Sequence, residues 1–268
     1  MGGPTYEHFD GTEGNVVHRV WPAEEPRRIV AVAHGYGEHI GRYEYLAETL
    51  TSDHGVVCGP DHLGHGRSDG ERALVTDFEH LVDDLHTVIE RVESAYPGLP
   101  TVLVGHSLGG LVAARYAQRH ADELAGLVLS APVVGSWKTS TDLLALTELP
   151  DEPLDTSTLS RDPAVAASYE ADPMVYHGPF KQQTLRAIAG TLHVVNSGPG
   201  LGDLPTLWLH GQDDELVPLV ESTAGIETLA PQDLTTRIYR GARHEVFNET
   251  NRDEVARDTI QFINRVTA

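Results

Sequence analysis

The stretch VLVGHSLGG places one serine, Ser107, between glycines that lie two residues before it and two residues after it. The apolar and β-branched residues 101–104 predict a strand, and the sequence LVAARYAQRH that follows predicts a helix. A strand–turn–helix of the form G-x-S-x-G lifts the serine hydroxyl out at the end of a sheet. The spacing therefore predicts that Ser107 is a catalytic nucleophile.

A serine hydroxyl becomes a good nucleophile only beside a base, and the base needs an acid that orients it. In this motif the partners follow in the order serine, then aspartate or glutamate, then histidine, on loops after later strands. The segment LWLHGQDDELVP offers Asp213 and Asp214, and IYRGARHEVFNE offers His244. We predict His244 as the base and Asp214 as the acid. Asp213 is the alternative, since either carboxylate could instead cap the next helix or face water.

Attack on a carbonyl carbon creates a negatively charged oxygen that needs hydrogen-bond donors. One predicted donor is the backbone N–H of Leu108, directly after the nucleophile. The loop HGYGE follows the apolar run RIVAVA, and there we assign the second donor to the backbone N–H of Tyr36. These groups together predict a serine hydrolase.

The elements that must position these residues alternate between strand and helix. This alternation predicts an α/β fold, with a mostly parallel sheet covered by helices on both faces. Thr76 and Glu79 predict a capping box at the start of the clearest helix. The predicted strands are 6–9, 16–21, 28–33, 55–58, 101–104, 126–130, 206–209 and 235–239, and the predicted helices are 43–52, 76–96, 111–120, 220–229 and 251–266.

The alternation is interrupted by residues 133–202, which are rich in proline. A segment of this length is too long for a simple loop, so we predict a cap over the strand ends, inserted into a core of 1–132 and 203–268. Ligands bind at the carboxyl ends of the strands in such sheets. Leu143 and Leu144 belong to an apolar patch that either lines an acyl tunnel or contacts lipid, or simply forms the core of the cap.

Composition narrows the possible partners. The 268 residues include 19 basic and 40 acidic side chains, a formal charge of −21, which argues against nucleic acid and against stable binding to anionic membranes. No histidine or cysteine spacing is typical of a metal site, so no metal is expected. The single cysteine, Cys58, lies in an apolar run and is predicted to be a buried strand thiol. The N-terminus does not resemble a signal peptide, and a cytoplasmic location is expected by default.

Six segments together resemble one family. HGYGEHIGRY, DHLGHGRSDG, GHSLGG, SAP, HGQDDELVP and GARHEVFNE occur in this order and are similar to those of the monoacylglycerol lipases, serine hydrolases of the α/β-hydrolase fold. The resemblance implies Ser107, Asp214 and His244 as the triad, with Tyr36 and Leu108 as oxyanion donors. It also implies a substrate of glycerol carrying one fatty acyl chain, cleaved through an acyl-enzyme without any cofactor.

The same resemblance suggests substrate contacts. Glu38 and Arg42 match positions that border the polar pocket near the glycerol, although they could equally form an ion pair that holds their loop. Phe247 lies where the mammalian enzymes have a histidine, and Tyr36 is bulkier than the small residue often found at its position. A carboxylesterase or thioesterase would share the triad, and a ligand receptor on an intact hydrolase site is a more remote alternative. The sequence does not predict an oligomeric state.

Overall fold

The computed structural model describes residues 3–268. Within that range one sheet contains strands β1 to β8, which are, in chain order, Thr5–Asp10, Asn15–Trp21, Arg28–Ala33, Gly55–Pro60, Thr101–His106, Gly126–Ser130, Thr206–Gly211 and Leu234–Tyr239. Their order across the sheet is β1-β2-β4-β3-β5-β6-β7-β8. The pairs β1–β2 and β2–β4 are antiparallel, and every later pair is parallel. The predicted mostly parallel sheet is confirmed.

Helices cover both faces of this sheet. In chain order α1 to α8 are Glu44–Ser52, Phe78–Ala95, Leu108–His120, Lys138–Ala145, Pro163–Ala171, Gln182–Ser197, Leu219–Leu229 and Arg252–Val266. Helices α2 and α3 share one hydrophobic cluster with the sheet, and α1 and α8 share the other. Because side chains alternate along a strand, β3 sends Ile29, Ala31 and Ala33 to the first cluster and Val30 and Val32 to the second. This two-sided burial explains why the central strands are apolar throughout.

The start of α2 differs from the prediction. The capping box of Thr76 and Glu79 is wrong, because Asp77 is the residue that caps the helix. The Asp77 carboxylate accepts a hydrogen bond of 2.9 Å from the Glu79 N–H. Aspartate is as good a cap as threonine, and Asp77 directly precedes the first helical residue, so its side chain reaches the free N–H of the first turn.

Three helices, α4, α5 and α6, lie between β6 and β7, in the segment for which the sequence predicted a cap. Leu185, Ile188 and Leu192 of α6 are buried in the cluster that contains α2 and α3. The cap is therefore packed onto the core through an apolar helix face. Its limits at residues 133 and 202 stay a prediction. None of the helices within residues 3–268 combines the length and the apolar composition needed to cross a membrane.

Candidate active site

Ser107 occupies the turn between β5 and α3, with φ 54° and ψ −117°. This backbone conformation is strained for a residue with a side chain. A Cβ atom on Gly105 would lie 2.4 Å from the carbonyl oxygen of Gly109, and one on Gly109 would lie 2.1 Å from the carbonyl oxygen of Ala33. Only glycine fits at both positions, which explains why the serine is flanked by them. The Ser107 N–H donates to the carbonyl of Ser130 at 2.9 Å and fixes the turn against β6.

The structure brings Asp214, and not Asp213, to the imidazole of His244. The Nδ1–H of His244 donates to Asp214 Oδ2 at 2.8 Å. Asp214 Oδ1 accepts from the N–H groups of Leu216 and Val217, each at 2.9 Å, so the carboxylate cannot rotate freely. Asp213 is exposed to solvent. Of the two candidates left open by the sequence, Asp214 has the geometry of the orienting acid.

The surroundings of this pair shift the pKa of both groups. Burial opposes the charged form of His244, but the negative charge and hydrogen bond of Asp214, with Glu245 and Glu38 nearby, outweigh it and raise the pKa of the imidazole. Burial likewise opposes ionisation of Asp214. The charge and hydrogen bond of His244 outweigh this effect and lower the pKa of the carboxyl. Asp214 is therefore a carboxylate that stabilises the imidazolium form of its partner.

The raised pKa of His244 determines where activity is lost at acidic pH. A general base works only when deprotonated, so below the His244 pKa we expect kcat/KM to vary inversely with proton concentration, about tenfold for each pH unit. Because that pKa is raised, the fall should begin above the ordinary imidazole value of about 6.5. Initial rates on a soluble, non-titrating ester measure it, with unfolding monitored at each pH as the control. A rate that stays constant from about pH 5 to 8 would rule out His244 as the base.

Ser107 and His244 line one cavity of about 300 Å³, between the sheet and the cap. Its volume is at the lower end of the range for small-molecule pockets. Most of the apolar lining comes from the cap and from the segment after β7, namely Val133, Trp137, Leu154, Leu159, Tyr169, Phe180, Ile188, Leu216 and Val217. The cavity thus joins a reactive centre to an apolar wall.

Tyr36 and Leu108, the predicted oxyanion donors, line the same cavity. Leu108 is the first residue of α3, so its N–H has no acceptor within the helix. Tyr36 follows Gly35, where a Cβ atom would lie only 3.3 Å from the Cβ of Ser107. The loop after β3 therefore runs directly beside the nucleophile. This arrangement is compatible with two backbone donors on one oxygen, and their role stays a proposal.

A charged group of three side chains lines another part of the cavity. Arg42 pairs with Glu245 through two hydrogen bonds of 2.6 and 2.8 Å, and with Glu38 through one of 2.7 Å. Glu38 also accepts from the N–H of Gly35 at 2.6 Å and from the hydroxyl of Tyr43 at 2.7 Å. Burial opposes ionisation of Glu38, but Arg42, His106, His34 and the Tyr43 hydroxyl together outweigh it and lower the pKa to about 2. The ion pair thus holds the loop of Tyr36 and also borders the site, so the two interpretations do not exclude each other.

Glu245 was not among the residues predicted from the sequence. The only signal was its place directly after His244. Its partner Arg42 lies 203 positions away, and no local pattern connects them. The other tentative substrate residues lie elsewhere: Phe247 is in the core and lines a separate small cavity behind Glu38 and Glu245. Leu143 lines a neighbouring cavity, and Leu144 lines neither of these larger cavities.

The loop that contains His244 is tied to the cap through Glu249. This buried carboxylate accepts from the backbone N–H of Arg161 at 3.0 Å and of Arg243 at 2.8 Å, and from the Nε–H of Arg161 at 3.0 Å. The N–H of Glu245 donates to the carbonyl of Leu159 at 2.8 Å. One segment of the cap is therefore fixed to the loop that positions the catalytic base.

Metal ligands could be supplied by one cluster among residues 3–268, and it does not line this cavity. It consists of His86, His120 and Glu123. The two imidazole rings are stacked, with centroids 4.2 Å apart and planes at 19°. A metal ion lies in the plane of each imidazole that binds it, and nearly parallel stacked planes do not converge on one point. The cluster as it stands is therefore poorly suited to a metal ion.

The fold and the serine turn at the end of β5 define the class, an α/β-hydrolase of the serine type. The family model described as serine aminopeptidase, S33, matches residues 24–251. The chain is 36% identical to a monoacylglycerol lipase of Mycolicibacterium smegmatis over 96% of both chains. It is 35% identical to human monoglyceride lipase, over 90% of this chain and 84% of that protein. It therefore belongs to this hydrolase family and, within it, to the monoacylglycerol lipases.

Solved structures agree with this assignment. A monoacylglycerol lipase of Paleococcus ferrophilus superimposes with a TM-score of 0.79, at 28% identity over 97% of this chain and 99% of that one. A soluble variant of the monoglyceride lipase of Saccharomyces cerevisiae gives a TM-score of 0.87 over 100% and 97% of the two chains. At 24% identity the second likeness shows the fold alone. The predicted α/β-hydrolase fold is confirmed.

Proposed function

We propose that this protein hydrolyses monoacylglycerols to glycerol and free fatty acids through an acyl-enzyme on Ser107. The observation that carries the proposal is one cavity in which Ser107 and His244 meet a charged group and a long apolar wall. A monoacylglycerol has the matching parts, which are an ester, two hydroxyls and an acyl chain. Membership of the monoacylglycerol lipase family supports the same substrate.

In the first half of the reaction the ester carbonyl lies against the N–H groups of Tyr36 and Leu108. His244 Nε2 takes the proton of the Ser107 hydroxyl while its oxygen attacks the carbonyl carbon. Asp214 holds the Nδ1–H tautomer and stabilises the imidazolium that forms. The C–O bond to glycerol then breaks, and the imidazolium gives its proton to the departing oxygen. The acyl group remains on Ser107.

In the second half a water molecule attacks the acyl-enzyme. His244 takes one proton from the water, and the same two N–H groups stabilise the negative oxygen. The ester bond to Ser107 breaks, and the proton passes from His244 to the serine oxygen. The fatty acid leaves and the free enzyme is restored. Every proton in both halves is moved by His244, so no metal or organic cofactor enters the proposed mechanism.

Charge in the cavity supports a neutral head group. The lining includes the acidic side chains Glu38, Glu215 and Glu245, against one permanently charged cation, Arg42. Arg42 is already paired with two of these carboxylates, so it has little positive charge to offer a ligand. Glycerol hydroxyls can donate hydrogen bonds to carboxylates, whereas a phosphate would be repelled. The proposal is thus specific for uncharged polyol esters over lysophospholipids.

The apolar surface of the cap supports transient contact with lipid aggregates as the route by which substrate reaches the cavity. Leu146, just after α4, is 46% exposed, and Leu143 and Leu144 of α4 are half-buried. The net charge of −21 favours uncharged aggregates over anionic bilayers in this proposal.

A panel of substrates tests the proposed function. We expect kcat/KM for monooleoylglycerol to exceed that for dioleoylglycerol, trioleoylglycerol and oleoyl lysophosphatidic acid by about tenfold or more, because like charge and extra bulk in a buried site are each strongly disfavoured. Purified protein with Ser107→Ala as the blank gives the comparison, with released fatty acid as the readout. Activity confined to small soluble esters would reject the monoacylglycerol assignment and leave a carboxylesterase.

A further inference from the structure

A second cavity of about 260 Å³ adjoins the one that contains Ser107. The two cavities share four lining residues, which are Tyr36, Leu154, Tyr169 and Phe180. None of the catalytic side chains lines the second cavity. Much of its remaining lining is apolar and comes from the cap, including Leu143, Leu149, Pro150 and Pro153. Glu152 and Asp155 also line it, and both are exposed to solvent. The apolar part of the lining suits a hydrocarbon chain, and it continues the apolar wall beside the nucleophile.

Two aromatic rings stand at the boundary between the cavities. The rings of Tyr36 and Phe180 are stacked, with centroids 4.7 Å apart and planes at 20°. Trp137, which lines only the cavity of Ser107, meets the Phe180 ring edge-on at 5.8 Å. Tyr176, which lines the second cavity but not that of Ser107, meets the Tyr36 ring edge-on at 6.3 Å. The stack is therefore in contact with both chambers at once.

The two halves of the stack differ in how firmly they are held. Tyr36 belongs to the loop after β3, where Glu38 binds the N–H of Gly35 and the carbonyl of Gly37 accepts from the N–H of Tyr176 at 2.7 Å. Both rings are half-buried, but Phe180 lies in the irregular connection between α5 and α6. A ring in that position can change rotamer without disturbing a helix or a strand. Phe180 is thus the side of the stack that can move.

We propose that the Tyr36–Phe180 stack divides the acyl site into two chambers and makes Phe180 a determinant of acyl-chain length. Short acyl chains fit within the chamber of Ser107. Longer chains reach the second chamber only when the Phe180 ring turns away from Tyr36. The inference rests on the proposed function, because it names the acyl part of that substrate. It also answers why a bulky tyrosine is present in HGYGE, since its ring forms the fixed wall of the passage.

The test compares chain lengths in Phe180→Ala. We expect the ratio of kcat/KM for p-nitrophenyl palmitate to that for p-nitrophenyl butyrate to rise about tenfold. The substitution opens the passage permanently, and only the long chain needs that passage. Leu149→Trp fills the second chamber without touching the stack, and we expect it to lower the same ratio about tenfold. In the double variant Leu149→Trp should cancel the gain from Phe180→Ala. Thermal unfolding of each variant checks that the fold is intact.

Two results would overturn the proposal. One is a Phe180→Ala variant in which kcat/KM for the palmitate and for the butyrate ester change by the same factor. The ring would then be an ordinary part of the cavity wall. The other is a Leu149→Trp variant with an unaltered ratio, which also decides the matter if Phe180→Ala does not fold. Nitrophenyl esters carry no glycerol, so these results are independent of head-group preference. Failure to hydrolyse monoacylglycerols would reject the proposed function while leaving this test valid.

Discussion

Replacing Ser107 with alanine or with glycine is expected to lower kcat by about 10⁴-fold or more, because no other group can form the acyl-enzyme. The residual rate would come from the backbone donors and from binding. Both variants keep the main chain of the turn, so the loss should appear in kcat without unfolding. Released fatty acid under saturating substrate measures the loss, and a rate in either variant within about tenfold of the unaltered protein would remove Ser107 from the mechanism.

The same pair of variants reports the strain in the serine turn. At φ 54° and ψ −117° alanine keeps the unfavourable contacts of its Cβ, whereas glycine has none. We therefore expect the free energy of unfolding of Ser107→Gly to exceed that of Ser107→Ala by about 1 kcal/mol. Denaturant unfolding of the two variants measures the difference. Ala167 is exposed on α5, and Ala167→Gly is the matched control, which we expect to lower the free energy of unfolding by about 0.5–1 kcal/mol. If glycine destabilises both sites equally, the turn stores no strain.

Replacing Asp214 with asparagine is expected to lower kcat about 10⁴-fold, whereas Asp213→Asn should change it by no more than about twofold. The asparagine side chain cannot stabilise an imidazolium, and it can present an N–H to His244, which would favour the wrong tautomer. Asp213 is exposed and makes no contact with the imidazole, so the same change there removes only a solvated charge. The two variants have identical chemistry and adjacent positions.

The pH profile separates a catalytic from a structural effect of Asp214→Asn. Loss of the carboxylate removes the main charge that raises the pKa of His244, so the acid limb of the residual activity should move to lower pH. Damage to the fold would lower the rate without moving that limb. An equal loss in Asp213→Asn, or an unmoved limb in Asp214→Asn, would contradict the assignment.

The strands, and the order in which the catalytic residues follow one another along the chain, could be predicted because both depend on local patterns. Buried parallel strands are apolar on both faces, and β3 and β6 were predicted with their observed limits. Asp214 was predicted over Asp213, but the local pattern left both open, because a shift of one residue in a loop reverses which side chain faces inward. In the structure the N–H groups of Leu216 and Val217 make that choice by binding Asp214.

The remaining parts of the site depend on contacts between distant segments. Glu245 meets Arg42, and Glu249 meets Arg161, across 203 and 88 positions of the chain. The resemblance placed Phe247 among the tentative substrate contacts, but it lies in a short helical turn and its side chain packs in the core. The helices of the cap carry weak patterns, because they bury side chains on the core and also line a cavity.

The hydrogen bonds of Glu249 also bear on how chimeras between this protein and its relatives should be designed. The segment around Arg161 is separate from the loop of His244 in sequence, yet buried hydrogen bonds hold the two together. A chimera that exchanged only residues 133–202 would replace the Arg161 segment, which donates two hydrogen bonds to this buried carboxylate beside the catalytic base. We therefore expect a chimera to keep more of its activity when the cap is exchanged together with the loop that follows β8.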